Sequence, residues 1–209
     1  MDSRWYKSLE WFNKTKKVKR VLFVCSGNSC RSPAAVYYFN KFTHWWSGVS
    51  SFSRGTEVNK ILQTLQARGI DIKRLMIEPE SKRVIGDRES TFLTKHVATQ
   101  ISAKDVLKAD LVLTMEKLIR DELRSAYPDA AYKIFTLKGF VDKTDNSSSN
   151  LDIGNPFIPP AIRKKEGAVD GKVGYYKYLQ NYAKIFAEIE LYVRKVVEII
   201  YLLKTEKRS

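Results

Sequence analysis

Cysteine is nearly missing from this chain. Its 209 residues hold two, Cys25 and Cys30. Two thiols so close together make neither a disulfide framework nor a set of zinc ligands, and a working thiol belongs in a reducing compartment. Acidic residues are also short: 23 Asp and Glu stand against 37 Lys and Arg, a formal charge of +14. That balance suits acidic partners. No basic block is interleaved with stacking aromatics, so nucleic acid is not the expected partner. No apolar run reaches the length of a membrane span, the N-terminus has no signal-peptide core, and no internal repeat is present. A soluble, cytoplasmic chain is the expectation, long enough for one well-cored domain. There is no G-x-x-x-x-G-K-[ST] string, which argues against a P-loop kinase. Nothing calls for a cofactor or a metal.

What is present is concentrated in one stretch, Val21-Leu-Phe-Val-Cys25-Ser26-Gly27-Asn28-Ser29-Cys30-Arg31-Ser32-Pro33. Strand-forming apolar residues end at a cysteine, a turn follows, and Pro33 suits the first turn of a helix. Strand, tight loop and helix N-terminus together aim backbone N–H groups and the positive end of a helix dipole into one concavity, a site for a tetrahedral oxyanion. The same surroundings favour a thiolate at Cys25. Arg31, at the spacing C-x5-R, adds a planar fork able to hold two phosphoryl oxygens. A thiolate below a cradled phosphate is placed for in-line attack and a phosphocysteine intermediate. The alternatives are a buried cysteine beside a surface arginine, or a phosphate-binding loop without chemistry.

The string V-C-x-G-N-x-C-R-S-P resembles the signature of the low-molecular-weight protein-tyrosine phosphatases. The resemblance implies that Cys25 is the nucleophile and that Arg31 binds phosphate and stabilises the transition state. It implies that Asn28 braces the loop, that the Ser32 hydroxyl supports the thiolate, and that residues 26–32 bind phosphate. It also suggests that His96 hydrogen-bonds to Asn28 from behind the loop, whereas a lone histidine can equally be a packing residue. A phosphorylated protein is then the expected substrate, cleaved at phosphotyrosine.

Along the rest of the chain, Trp5, Leu9 and Phe12 fall at helical spacing among lysines. Residues 1–17 therefore read as an amphipathic extension, packed on the protein itself or laid on a membrane surface. Residues 18–204 read as the phosphatase-like domain and 205–209 as a basic tail. Helices are expected over 34–42, 56–68, 116–127 and 175–203, and strands over 48–52, 110–115 and 132–137. Residues 73–93 depart from the family pattern and read as an insertion in a surface connection, a lid or decoration. Alternating strands and helices predict an α/β fold: a four-stranded parallel, doubly wound sheet in the order 2-1-3-4, with helices on both faces. The loop after the first strand then lies at the topological switch point.

A leaving group also needs a proton, worth about 10²–10⁴-fold in rate. In the family the donor is the aspartate of an Asp-Pro-aromatic string. Here the string is Asp152-Ile-Gly-Asn155-Pro156-Phe157, and an amide cannot supply that proton. Asp152 is the candidate acid, with Asp142 and Asp145 as alternatives, and Asn155 and Phe157 are expected to line the pocket. If no acid takes over, the chain is a slow phosphatase or a phospho-binding module. An arsenate reductase on the same fold would need an external thiol. Ser29, small and polar where the tyrosine-phosphatase branch carries a bulky aliphatic residue, resembles the protein-arginine-phosphatase branch and suits a phosphoguanidinium.

Overall fold

The computed structural model describes residues 18–77, 79–86, 91–142, 150–156 and 171–206. The amphipathic extension 1–17, Asp145 and Phe157 lie outside these residues.

Four strands form the sheet: β1 (Arg20–Cys25), β2 (Ser50–Gly55), β3 (Leu111–Thr114) and β4 (Ile134–Thr136), in the order β2-β1-β3-β4. Every pairing is parallel, from Arg20 against Ser50 through Val21 against Leu111 to Val112 against Ile134. This is the doubly wound arrangement expected. Strand side chains alternate between faces, and β1 shows what each face touches. Val21, Phe23 and Cys25 join one core with α1 (Arg31–Thr43) and the closing helix α8 (Gly171–Glu206). Leu22 and Val24 join a second core with residues of α5 (Ala103–Lys108) and α6 (Lys117–Ala126). A strand covered on both faces must be apolar throughout, and Val21 to Cys25 is buried at every position.

α1 enters its core through Ala34, Ala35, Tyr38 and Phe39. α8 contributes Tyr182, Phe186, Ile189, Val193 and Val196, the helical stripe read from the sequence. α5 opens with a capping box, Asp105 Oδ2 accepting from both the N–H and the hydroxyl of Ser102.

Several boundaries differ from expectation. Residues 132 and 133 belong to a 3-10 turn (Pro128–Lys133) because Lys133 Nζ turns inward to donate to the Ala109 carbonyl at 2.6 Å. β4 is therefore shorter than predicted. A helix, α7 (Leu137–Asp142), starts directly after it, with Leu137 and Phe140 driven into the core. α8 extends through Thr205 and Glu206, so the expected basic tail begins inside a helix.

Described parts of the stretch 73–93 make specific contacts with the domain. Met76 forms an antiparallel bridge to Val97, and Ala98 N donates to Leu75 O at 2.8 Å. α3 (Pro79–Ile85) packs on α8, and α4 (Thr91–Thr94) packs on α1. Ile77 and Leu93 are buried, with Val84 and Ile85 against the main core. These apolar residues anchor the stretch to the body of the domain. Of α2 (Val58–Ala67), only Val58 is fully buried.

Candidate active site

The loop from Cys25 to Arg31 leaves the C-terminal end of β1, between β2 and β3, where the strand order reverses. Open parallel sheets bind ligands at this point. Arg31 is the first residue of α1, so the positive end of that helix faces the loop.

Asn28 organises the loop. It is fully buried and holds φ at 51°, the left-handed region that asparagine tolerates better than most residues. Its amide is saturated: Nδ2 donates to Ser32 Oγ at 3.0 Å and to Ser53 Oγ at 2.9 Å, while Oδ1 accepts from Thr99 N at 2.9 Å. The main chain of Asn28 does separate work. Its N–H points at Cys25 Sγ at 3.2 Å, and its carbonyl meets His96 Nε2 at 2.9 Å. Ser32 Oγ lies 3.0 Å from Cys25 Sγ. The sulfur thus has a backbone N–H and a hydroxyl within reach, the contacts that stabilise a thiolate.

The neighbouring strand must approach closely for this loop to fit. A Cβ on Gly55 would stand 2.6 Å from Ser26 O and 2.7 Å from Val58 Cγ2. Backbone bonds tie the two together, Thr56 N to Cys25 O and Glu57 N to Ser26 O. Ser29 is buried, and its Oγ is turned towards Gly27, 3.4 Å from where a Cβ would stand there.

Arg31 is buried at 3% exposure, yet none of its charge is stranded. Glu116 Oε1 lies 2.6 Å from Nη2, Nη1 donates to Ile153 O at 3.0 Å, and Ser26 Oγ lies 3.4 Å from Nη2. These contacts fix the guanidinium plane beside the loop. Sequence reasoning read Glu116 only as the start of a helix. A carboxylate at the C-terminal end of a central strand in a doubly wound sheet was the available signal. Ser53 and Thr99 were also missed. Ser53 reaches the loop only through strand pairing, and Thr99 contributes a backbone N–H that no side-chain pattern reveals.

His96 lies behind the loop. Burial holds its pKa below the usual histidine value; the bond to Asn28 opposes that shift and the Arg54 charge adds to it. Arg54 itself pairs with Asp105 at 3.0 Å.

Asp152, the expected acid, is engaged elsewhere. Its Oδ1 accepts from Lys117 N at 2.6 Å, capping the first turn of α6. Asp142 is also committed, with Oδ2 accepting from Tyr192 OH at 2.6 Å. Burial and that carboxylate push the Tyr192 phenol up to about 12. Asn155 is exposed, two residues after Ile153, whose carbonyl holds Arg31. Among the described residues no group of His, Cys, Asp and Glu could hold a metal ion, and no helix is long and apolar enough to cross a membrane.

The geometry amounts to a buried cysteine under a helix N-terminus, a braced loop and an anchored arginine, and comparison with known proteins gives it a lineage. A relative named low molecular weight protein-tyrosine-phosphatase, from Staphylococcus haemolyticus, is 32% identical over 139 residues, covering 66% of this chain and 81% of its own. A protein-arginine-phosphatase from Geobacillus stearothermophilus is 28% identical over 149 residues, covering 68% and 80%. The crystal structure of a low molecular weight protein tyrosine phosphatase from T. tengcongensis superposes with a TM-score of 0.61 at 27% identity, over 86% of this chain and 97% of that one. The family model described as low molecular weight phosphotyrosine protein phosphatase matches residues 20–207, and the chain belongs to that family.

Proposed function

We propose that this chain is a cysteine-dependent phosphatase that removes phosphate from phosphotyrosine in proteins. The observation that carries this reading is the pair of contacts on Cys25 Sγ, the Asn28 N–H at 3.2 Å and Ser32 Oγ at 3.0 Å, at the N-terminus of α1. In the first step Cys25 Sγ bonds to phosphorus and the ester P–O bond breaks. The departing oxygen takes the bond's electron pair and gains a proton from solvent. Arg31, held by Glu116 and Ile153, spreads the charge on the equatorial oxygens, together with the loop and the helix dipole. In the second step water attacks phosphorus, the S–P bond breaks, and inorganic phosphate leaves with the thiolate restored.

With Asp152 capping α6, Asp142 bonded to Tyr192 and an amide at Asn155, turnover depends strongly on the leaving group. Activated aryl phosphates are cleaved faster than alkyl phosphates. Ser29 supports a second reading, hydrolysis of phosphoarginine: it is buried beside Gly27 and brings a hydroxyl rather than an aliphatic wall to the loop. A site built on such hydrogen bonds discriminates more sharply than an apolar slot. Peroxide would oxidise Cys25 to a sulfenic acid, and Cys30 would displace water from it to close a disulfide.

The test is turnover of p-nitrophenyl phosphate by wild type, Cys25→Ser and Arg31→Ala. Cys25→Ser should abolish hydrolysis and keep phosphate affinity, while Arg31→Ala should lose both. Substantial turnover by Cys25→Ser would end the phosphocysteine reading. Matched phosphotyrosine and phosphoarginine peptides, assayed with wild type and Ser29→Ile, decide between the substrates.

A further inference from the structure

The catalytic loop occupies the C-terminal edge of the parallel sheet, and α1 runs from it back to the start of β2. The residues that follow α1, Trp45 and Trp46, therefore stand at the opposite edge. Trp45 is 61% exposed. Its ring stacks on Trp46 at 6.1 Å, and Tyr201, near the end of α8, meets both rings edge-on at 5.9 and 5.8 Å. Leu202 and Leu191 are exposed on α8. Cations lie against these rings rather than apart from them. Lys204 Nζ is 4.6 Å from the centre of the Trp46 ring, and the Arg194 guanidinium is 4.6 Å from that of Phe42. Lys41, Lys19 and Arg20 are exposed at the same edge of the sheet. The acids nearby are Glu190, 3.9 Å from Arg194, Glu198 and Glu206 on α8, and Asp110, whose Oδ2 accepts from the Lys19 and Arg20 N–H groups.

We propose that this aromatic and cationic patch seats the protein on an anionic lipid bilayer, with the catalytic loop turned away from the surface. Tryptophan and tyrosine combine a large apolar body with a polar tip and favour the headgroup level, where lysine and arginine extend their charges to the water. An anionic leaflet attracts such cations, and the chain carries +14 overall. The same charge disfavours other occupants. A second copy would bring like patches together. The chain's own residues 1–17 hold Arg4, Lys7, Lys14, Lys16 and Lys17 against Asp2 and Glu10, so they too would add positive charge to positive.

The experiment is co-sedimentation of the full chain with vesicles of phosphatidylcholine alone and of phosphatidylcholine with phosphatidylserine. Binding should require phosphatidylserine and weaken as salt is raised. Trp45→Ser and Leu202→Ser should each weaken it about tenfold, by loss of apolar insertion. Turnover of p-nitrophenyl phosphate should stay at the wild-type value in both. Equal binding by wild type and variants, or binding indifferent to phosphatidylserine, overturns the proposal. A change in the sedimentation coefficient of Trp45→Ser without lipid would assign the patch to a second copy. A clear fall in the melting temperature of Leu202→Ser without lipid would assign it to packing by the chain itself.

Discussion

Removing the Asn28 side chain tests the architecture of the loop most directly. Asn28→Ala deletes three hydrogen bonds, to Ser32, Ser53 and Thr99, two of them in a buried place: Asn28 and Ser32 are fully buried and Ser53 nearly so, while Thr99 is exposed. Each net bond is worth about 1 kcal/mol, and a buried group left without a partner costs about 1–3 kcal/mol. Ser53 is the group most exposed to that penalty, since Ser32 keeps Cys25 Sγ as a neighbour. Alanine keeps the Cβ that asparagine already carries at φ 51°, so about 1–2 kcal/mol of left-handed backbone strain is retained rather than added. The sum is about 4–6 kcal/mol, a large share of the roughly 5–15 kcal/mol that holds a domain together. Asn28→Gly loses the same three bonds without the strain, so it should recover about 1–2 kcal/mol of the deficit. Urea unfolding of both variants measures the difference, and turnover of p-nitrophenyl phosphate should fall in both, because the Asn28 N–H loses its fixed direction towards Cys25. The reasoning is refuted if Asn28→Ala unfolds within 1 kcal/mol of wild type, on the scale where a single bond counts about that much. It is equally refuted if Asn28→Gly is the less stable of the two.

Glu116→Gln leaves the buried Arg31 charge without its carboxylate, costing about 1–3 kcal/mol, and bound phosphate should restore most of that loss. Identical melting shifts with and without phosphate would contradict this. His96 titrates below its unfolded value, so the stability it contributes is fully present above the ordinary histidine pKa and is lost as pH falls through the lowered folded value. Wild type should therefore lose stability between neutral and mildly acidic pH more steeply than His96→Gln, which thermal unfolding across that window would show; parallel curves would count against it. Asp152→Ala should cost about 1 kcal/mol as a lost helix cap and slow phenyl phosphate and p-nitrophenyl phosphate in proportion. A loss confined to phenyl phosphate would return the acid role to Asp152.

The central strand, the oxyanion loop and the helix behind it were legible because their physics is local. A run of apolar residues long enough for one strand, a turn with glycine and asparagine, and a proline in the first helical turn specify strand, loop and helix without reference to distant residues. Alternation of elements then fixed the sheet order, since parallel strands need covered crossovers and a right-handed winding allows few arrangements. The closing helix followed from its periodicity. Contacts that depend on partners far along the chain were not legible. Asp152 Oδ1 accepts from the N–H of Lys117, a partner supplied only when the segment after α7 lies against the end of β3. Glu116 looks like an ordinary helix start until the same folding step sets it beside Arg31. In the 73–93 stretch, the packing of Val84 and Ile85 on the main core depends on α8, far along the chain. The aromatic patch needed α1 and α8 to bring Trp45 and Tyr201 together. Sequence by itself determined the family, the strand, loop and helix around Cys25 and Arg31, and the order of the sheet, because covalent neighbours and periodicity carry that information. Tertiary structure decided which charges are paired and which apolar surfaces are left open, because those depend on desolvation and contact between segments that only folding brings together.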